Sequence, residues 1–83
     1  MNRQTLEQWL ISKGYTKDKY GNYPKETDGK IYRWKMQDIS VRYETQITLK
    51  DWDNKPKHEW LRIKSGYYKD LSITPENKLA GLK

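Results

Sequence analysis

The first apolar pattern along the chain has helical spacing and predicts a helix over residues 2–13. The pair Thr5 and Gln8 has the form of a capping box, and Asn2 is an alternative N-cap. Gly14 follows as a residue suited to end the helix in a left-handed conformation. The predicted buried face of this helix consists of Leu6, Trp9 and Leu10.

After the helix the apolar positions alternate with a period of two, which is typical of half-buried strands. Asp28-Gly29 predicts a type I′ hairpin turn. Pro24 has no N–H to donate, so the strand that contains it is expected at a sheet edge. Further strands are predicted over 31–36, 41–49 and 58–65.

The C-terminal part carries weaker signals. A last short strand is expected within 67–73, and Thr74-Pro75-Glu76 resembles an N-cap followed by Pro at the first helical position, which favours a short helical turn. Together these elements predict an α+β fold, in which one N-terminal helix packs on an antiparallel meander of about four strands in a single domain over 1–83. The sheet face predicted to meet the helix carries Tyr32, Trp34, Val41, Tyr43, Ile47, Leu61 and Ile63.

Composition changes this picture in one respect, because aromatic residues replace aliphatic ones in the core. The 83 residues include only 7 Leu, 6 Ile and 1 Val, but also 7 Tyr and 4 Trp, and such a content of aromatic residues is unusual for a disordered chain. The absence of Cys excludes disulfide scaffolds and thiolate chemistry. With no apolar leader or membrane span in the sequence, we expect a soluble, cytoplasmic protein.

The net charge of +6 favours an anionic partner, either nucleic acid or an acidic protein surface. Strand alternation places Glu44 and a group of basic and aromatic residues on the sheet face opposite the helix. Lys and Arg neutralise phosphates and exposed rings stack on unpaired bases, so this face predicts binding of RNA or single-stranded DNA. A merely solvated face is the alternative. The predicted binding residues are Arg33, Lys35, Arg42, Trp60, Arg62 and Lys64.

A second group of lysines could contact a duplex backbone as point charges, or could simply keep the protein in solution. This group combines the loop before the last long strand with the first hairpin. Its members are Lys55, Lys57 and His58 together with Lys17, Lys19, Lys25 and Lys30.

A protein-interaction module, such as an inhibitor or adaptor, is the alternative function. Tyr and Trp are enriched among the residues that dominate binding at protein interfaces. Trp52 lies in a polar loop, and Tyr67 and Tyr68 follow a glycine, so these three are the predicted anchors. Alternation along a strand would equally place one tyrosine in the core and the other on the surface.

Residues with catalytic or metal-binding chemistry are sparse. The chain has one His and none of the glycine-rich phosphate loops or nucleophile elbows of nucleotide and acyl enzymes. Asp51, Asp53 and His58 are close in sequence but lack the glycine and terminal glutamate of an EF-hand. We therefore expect a binding protein, not an enzyme, without a metal or cofactor.

One segment resembles a known family. Gly29 to Lys35, a short turn, and then Ser40 to Glu44 are similar to the sheet hairpin of RelE-type ribosome-dependent ribonuclease toxins. That resemblance implies RNA cleavage by Lys, Arg and Tyr side chains, which here would be Arg33, Arg42 and Tyr43. The segment covers about a fifth of the chain, and a single predicted helix precedes the sheet where that family has a pair.

Overall fold

The computed structural model describes residues 1–83, which form one helix and a four-stranded antiparallel sheet followed by a small two-stranded sheet. The large sheet is a meander with strand order β1-β2-β3-β4. This confirms the predicted α+β architecture. The elements are α1 (Arg3–Ser12), β1 (Tyr23–Thr27), β2 (Lys30–Met36), β3 (Ser40–Lys50), β4 (Pro56–Tyr67), a 3-10 turn (Tyr68–Asp70), β5 (Ser72–Ile73) and β6 (Leu79–Ala80).

Helix α1 begins and ends as its flanking residues dictate. Asn2, not Thr5, is the N-cap, because its Oδ1 accepts a hydrogen bond from the Thr5 backbone N–H at 2.8 Å. At the other end Gly14 has φ +92°, and the N–H of Tyr15 donates to the Leu10 carbonyl at 3.1 Å. This is a Schellman termination, at the glycine predicted to end the helix.

The first hairpin is also as predicted. Asp28 and Gly29 have φ of 53° and 76°, and Thr27 pairs with Lys30, which makes a two-residue turn of the type I′ form. Pro24 lies in β1, which pairs only with β2 and is therefore an edge strand.

The core lies between α1 and one end of the sheet. We call the sheet face that packs on α1 the inner face and the opposite one the outer face. Leu61 and Ile63 were predicted on the buried face but are 54% and 49% exposed, and Ile47 is only half-buried. Ten helical residues span only about 15 Å, whereas the molecule is 48 Å long, so the distal β3–β4 hairpin extends beyond the helix. The buried core consists of Leu6, Leu10, Tyr23, Trp34, Met36, Val41, Tyr68 and Leu71.

The C-terminal segment differs from its prediction. The helical turn is a 3-10 turn at Tyr68–Asp70, within the region predicted as a strand, and the predicted last strand is reduced to β5. Residues 72–80 form the β5–β6 hairpin, where a helical turn was expected after Thr74. Asn77 has φ +62° and the Thr74 N–H donates to the Lys78 carbonyl, so the chain reverses where a helix was expected. No helix in the structure is long and apolar enough to cross a bilayer.

The close approach of Gly81 to the 3-10 turn generates a stability prediction. Gly81 has φ +103°, and a Cβ there would collide with the backbone carbonyl of Asp70. We expect Gly81→Ala to lower the free energy of unfolding by about 2 kcal/mol or more, as overpacking adds to backbone strain. Gly29→Ala is the matched control: φ is again positive but the space is open, so its cost is roughly 1 kcal/mol. Urea denaturation that finds equal losses would contradict this reading of Gly81.

Buried Tyr23 generates a prediction about alkaline pH. The hydroxyl donates to Glu7 Oε1 at 2.9 Å, and burial, followed by this hydrogen bond to Glu7, raises the pKa of Tyr23 from 10.0 to about 12. The unfolded chain therefore loses the proton first, and the stability present below pH 10 declines by up to about 3 kcal/mol as the pH approaches 12. Chemical denaturation across this range should show a shallower decline for Tyr23→Phe. Identical slopes for the two proteins would count against the assignment.

Candidate nucleic-acid interface

An irregularity in the pairing of β3 with β4 decides which side chains share a face. Glu44 pairs with Arg62 and Tyr43 pairs with Lys64, so Ile63 has no partner in the register. Such a bulge reverses the alternation of side chains beyond it. Arg62 therefore lies on the outer face and Lys64 on the inner face, which corrects the prediction that both share the outer face.

The remaining predicted residues, Arg33, Lys35, Arg42, Trp60 and Arg62, do share the outer face. Trp60 pairs with Gln46 and lies beside the β2–β3 cations, and its ring centroid is 3.8 Å from the guanidinium carbon of Arg33. This contact is a close cation–π pair. The predicted basic, tryptophan-containing face is therefore assembled, with Lys64 absent from it.

Glu44 is the feature of this face that the sequence analysis undervalued. It was expected in solvent among the cations, but it is 2% exposed. Arg33 Nε donates to Glu44 Oε1 at 2.9 Å, and Arg42 Nε lies 3.4 Å from Oε2, near enough for an ion pair but without hydrogen-bond alignment. One carboxylate thus offsets part of the charge of two arginines and fixes their positions.

A polar cleft opens where the outer face meets the end of β4. We call it the arginine cleft; its volume is about 360 Å³, and no carboxylate lines it. Arg62 is exposed and makes no ion pair, and the buried Nε of Arg42 lacks a hydrogen-bond partner. The groups that line the cleft include Gln37, Ser40, Arg42, Arg62, Ser65 and Tyr67.

Neither the helix nor the C-terminal segment covers the outer face. Helix α1 packs on the inner face, and the β5–β6 hairpin meets it there through Trp9, whose Nε1 donates to Asn77 Oδ1 at 3.1 Å. At the chain end Lys83 exchanges backbone hydrogen bonds of 2.9 and 2.8 Å with Ser65, so this tail follows the edge of β4. The basic face is open to a ligand.

A second charged cleft lies on the inner face and was missed by the sequence analysis. We call it the lysine cleft. It has a volume of about 430 Å³ and is lined by side chains from α1, β1, β2, β4 and the C-terminal hairpin, without a carboxylate. Periodicity assigned these residues to separate elements; it grouped Lys25 with the second set of lysines and Lys64 with the outer face. The polar and aromatic lining consists of Trp9, Lys13, Tyr15, Lys25, Trp34, Lys64, Asn77 and Lys78.

The predicted protein-interaction residues have different environments. Trp52 is 93% exposed in the loop of the β3–β4 hairpin, and Tyr67 is 52% exposed. Tyr68 is 5% exposed, and its hydroxyl donates to the Gln37 carbonyl at 2.6 Å, so it is a core residue that cannot act as a surface anchor. One tyrosine of this pair is therefore in the core and the other on the surface, which is the alternative that the sequence analysis gave.

The other predicted groups are not assembled into sites. Asp51 Oδ1 accepts from the backbone N–H groups of Asp53 and Lys55 at 3.0 and 3.1 Å, which makes it part of a turn. His58 Nδ1 lies 3.2 Å from Thr48 Oγ1, and no three His, Asp or Glu side chains gather as metal ligands.

Residues implied by the toxin resemblance are divided between two faces. Tyr43 is on the inner face, where its ring lies 4.6 Å from that of Trp34, whereas Arg33 and Arg42 are on the outer face. Burial, then the nearby Tyr15 and Tyr32, raise the pKa of Tyr43. The three side chains therefore do not converge as a catalytic group.

The second group of lysines is likewise dispersed. Lys17 lies 3.5 Å from Glu7 and Lys57 lies 3.2 Å from Glu59, each as an ion pair, and Lys25 lines the lysine cleft. Two members are thus paired with carboxylates of different elements, and a third lines a cleft with residues outside the group.

Comparison of the chain with profiles of protein families, with curated proteins and with solved structures gave no significant match.

Proposed function

We propose that this protein binds single-stranded nucleic acid, RNA or DNA, on the outer sheet face. The observation that carries the proposal is the arginine cleft, where two guanidinium groups from adjacent strands border one opening without a carboxylate among the lining residues. Guanidinium groups bind phosphate oxygens through paired N–H donors, which makes such an opening suited to a phosphodiester.

Arg62 and Arg42 have different parts in this proposal. Arg62 is exposed and unpaired, so its full charge is available to a phosphate. Arg42 is held beside Glu44, and its contribution is a positioned donor more than a net charge. The hydroxyl groups of Ser40 and Ser65 line the same opening and can donate to phosphate oxygens.

Trp60 and Arg33 supply a surface for a base. The guanidinium of Arg33 is stacked on the indole at 3.8 Å and fixed from behind by Glu44 at 2.9 Å. Planar guanidinium groups and indole rings are both platforms on which unpaired bases stack. A single strand lying across β2, β3 and β4 could place its phosphates in the arginine cleft and a base on Trp60 and Arg33.

Reversal of the free cation tests the proposal. We expect Arg62→Glu to weaken binding of a fluorescein-labelled uridine or thymidine dodecamer by about tenfold or more at low salt, and to lower the salt slope by about 1 or more. Fluorescence anisotropy over a salt series measures both quantities. Comparing the two dodecamers reports any preference for RNA or DNA.

The matched control is Lys19→Glu, which changes net charge equally and lines neither cleft. Trp60→Leu keeps apolar bulk and removes the stacking ring, so it should also weaken binding by about tenfold. Equal effects of Arg62→Glu and Lys19→Glu, or no binding of either dodecamer at low ionic strength, would reject the outer face as the binding surface.

Trp52 favours a second candidate function, binding of a protein partner through the hairpin loop. An indole that is 93% exposed on a projecting hairpin resembles the aromatic anchors of interfaces. Leu61, on the same hairpin, is also exposed, but it pairs with Thr45 and lies away from the loop. A partner with a pocket for an indole ring would bury Trp52.

Because Trp52 buries little surface in this chain, Trp52→Ala should leave the thermal midpoint nearly unchanged. It should nevertheless abolish a stoichiometric complex that is reconstituted from the purified protein and its captured partner. Lys55→Ala in the same loop is the control. Retention of the complex by Trp52→Ala would exclude this anchor.

A further inference from the structure

The lysine cleft carries an inference beyond the proposed single-strand surface, because it lies on the opposite sheet face. We propose that it binds a phosphorylated nucleoside, with the phosphate held by lysines and the base against the aromatic lining. The charges of the cleft, its rings and its polar wall are the features that suit this ligand.

The charges come from four lysines on four elements or their flanks: Lys13 after α1, Lys25 on β1, Lys64 on β4 and Lys78 before β6. None of them is within ion-pair distance of a carboxylate. No carboxylate at that distance offsets their mutual repulsion, and an anion bound among them would relieve it.

Aromatic rings hold these ammonium groups near the cleft. Lys13 Nζ lies 5.5 Å from the Trp9 ring centroid, and Lys25 Nζ lies 4.9 Å from that of Tyr15. Lys64 Nζ lies 5.5 Å from the ring of Tyr43. Contacts of this length are weak cation–π pairs. An incoming phosphate can therefore draw the lysines away and expose ring faces to a base.

The turn of the C-terminal hairpin, beside the helix, supplies hydrogen-bonding groups. Trp9 Nε1 donates to both the backbone carbonyl and Oδ1 of Asn77, at 3.3 and 3.1 Å. The side-chain amide of Asn77 keeps its N–H₂ donors for the edge of a base. Leu79 and Leu82 complete an apolar floor, and about 430 Å³ is within the range of small-molecule sites.

These features distinguish a nucleotide from other anions. An acidic peptide would use the lysines but has no need of the indole and phenol rings, and inorganic phosphate would leave them unused. The required chemistry is a planar base joined to a phosphate. A free nucleotide and a nucleotide within a strand both provide it.

The four tryptophans report on different regions, so their indole N–H signals in two-dimensional NMR provide the test. Trp9 and Trp34 line the cleft, whereas Trp60 is on the outer face and Trp52 is in the hairpin loop. We expect AMP to shift the first pair and not Trp52, with affinity at least about tenfold above that of adenosine or inorganic phosphate.

Charge reversal at Lys64 and at Arg62, which lie on opposite faces of β4, tests which face binds AMP. Lys64→Glu should weaken AMP binding by about tenfold or more, and Arg62→Glu should leave it unchanged. Lys78→Glu, at an exposed position, repeats the test if Lys64→Glu disturbs the sheet, and Lys19→Glu again controls for net charge. In Arg62→Glu, we expect the Trp60 signal no longer to shift with a dodecamer, while the Trp9 and Trp34 signals still shift with AMP. That result would show that the two sites are separate.

Response of Trp9 and Trp34 to AMP supports a free nucleotide as the ligand, and response only to the dodecamer supports a nucleotide within a strand. The proposal is overturned if neither ligand shifts these signals at low ionic strength. It is also overturned if inorganic phosphate or a hexaglutamate peptide binds as tightly as AMP, or if Lys19→Glu weakens binding as much as Lys64→Glu.

Discussion

The bulge at Ile63 is the constraint on which the two charged faces depend. A regular β4 would place Arg62 and Lys64 on the same face, since strand side chains alternate with a period of two. With Ile63 unpaired, Arg62 joins Glu44 on the outer face and Lys64 joins Tyr43 on the inner face. One extra residue thus divides the positive charge of β4 between the arginine cleft and the lysine cleft.

Glu44 organises the outer face from within. An unpaired buried carboxylate would be strongly unfavourable, so the near-complete burial of Glu44 requires Arg33 and Arg42 to remain beside it. In return, the carboxylate restricts two flexible arginines and directs one of them onto Trp60. The result is a face with less net charge than the count of cations suggests, but with its donors fixed before any ligand arrives.

The limited length of α1 explains the shape of the molecule. The helix covers Trp34, Met36 and Val41 at one end of the sheet, and Tyr68 and Leu71 close the core there. Beyond that end the β3–β4 hairpin continues without a covering layer, which leaves Leu61 and Trp52 in solvent. The radius of gyration is 14.3 Å, whereas about 12 Å is typical of a compact chain of this length.

Local chemistry was sufficient to predict the helix with its Gly14 ending, the Asp28-Gly29 turn, the edge position of Pro24 and the meander, because each depends on neighbouring residues or on hydrophobic period. Alternation alone also placed five of the six predicted binding residues on the outer face. Local patterns did not predict the β5–β6 hairpin. They also did not predict the environments of Lys64, Glu44, Leu61 and Ile63. The bulge, the buried ion pair and the part of the sheet that the helix covers all depend on contacts between residues distant in sequence. Local sequence patterns do not contain information about those contacts. The sequence by itself therefore determined the elements and their order, and only the tertiary structure decided which charges meet in each cleft.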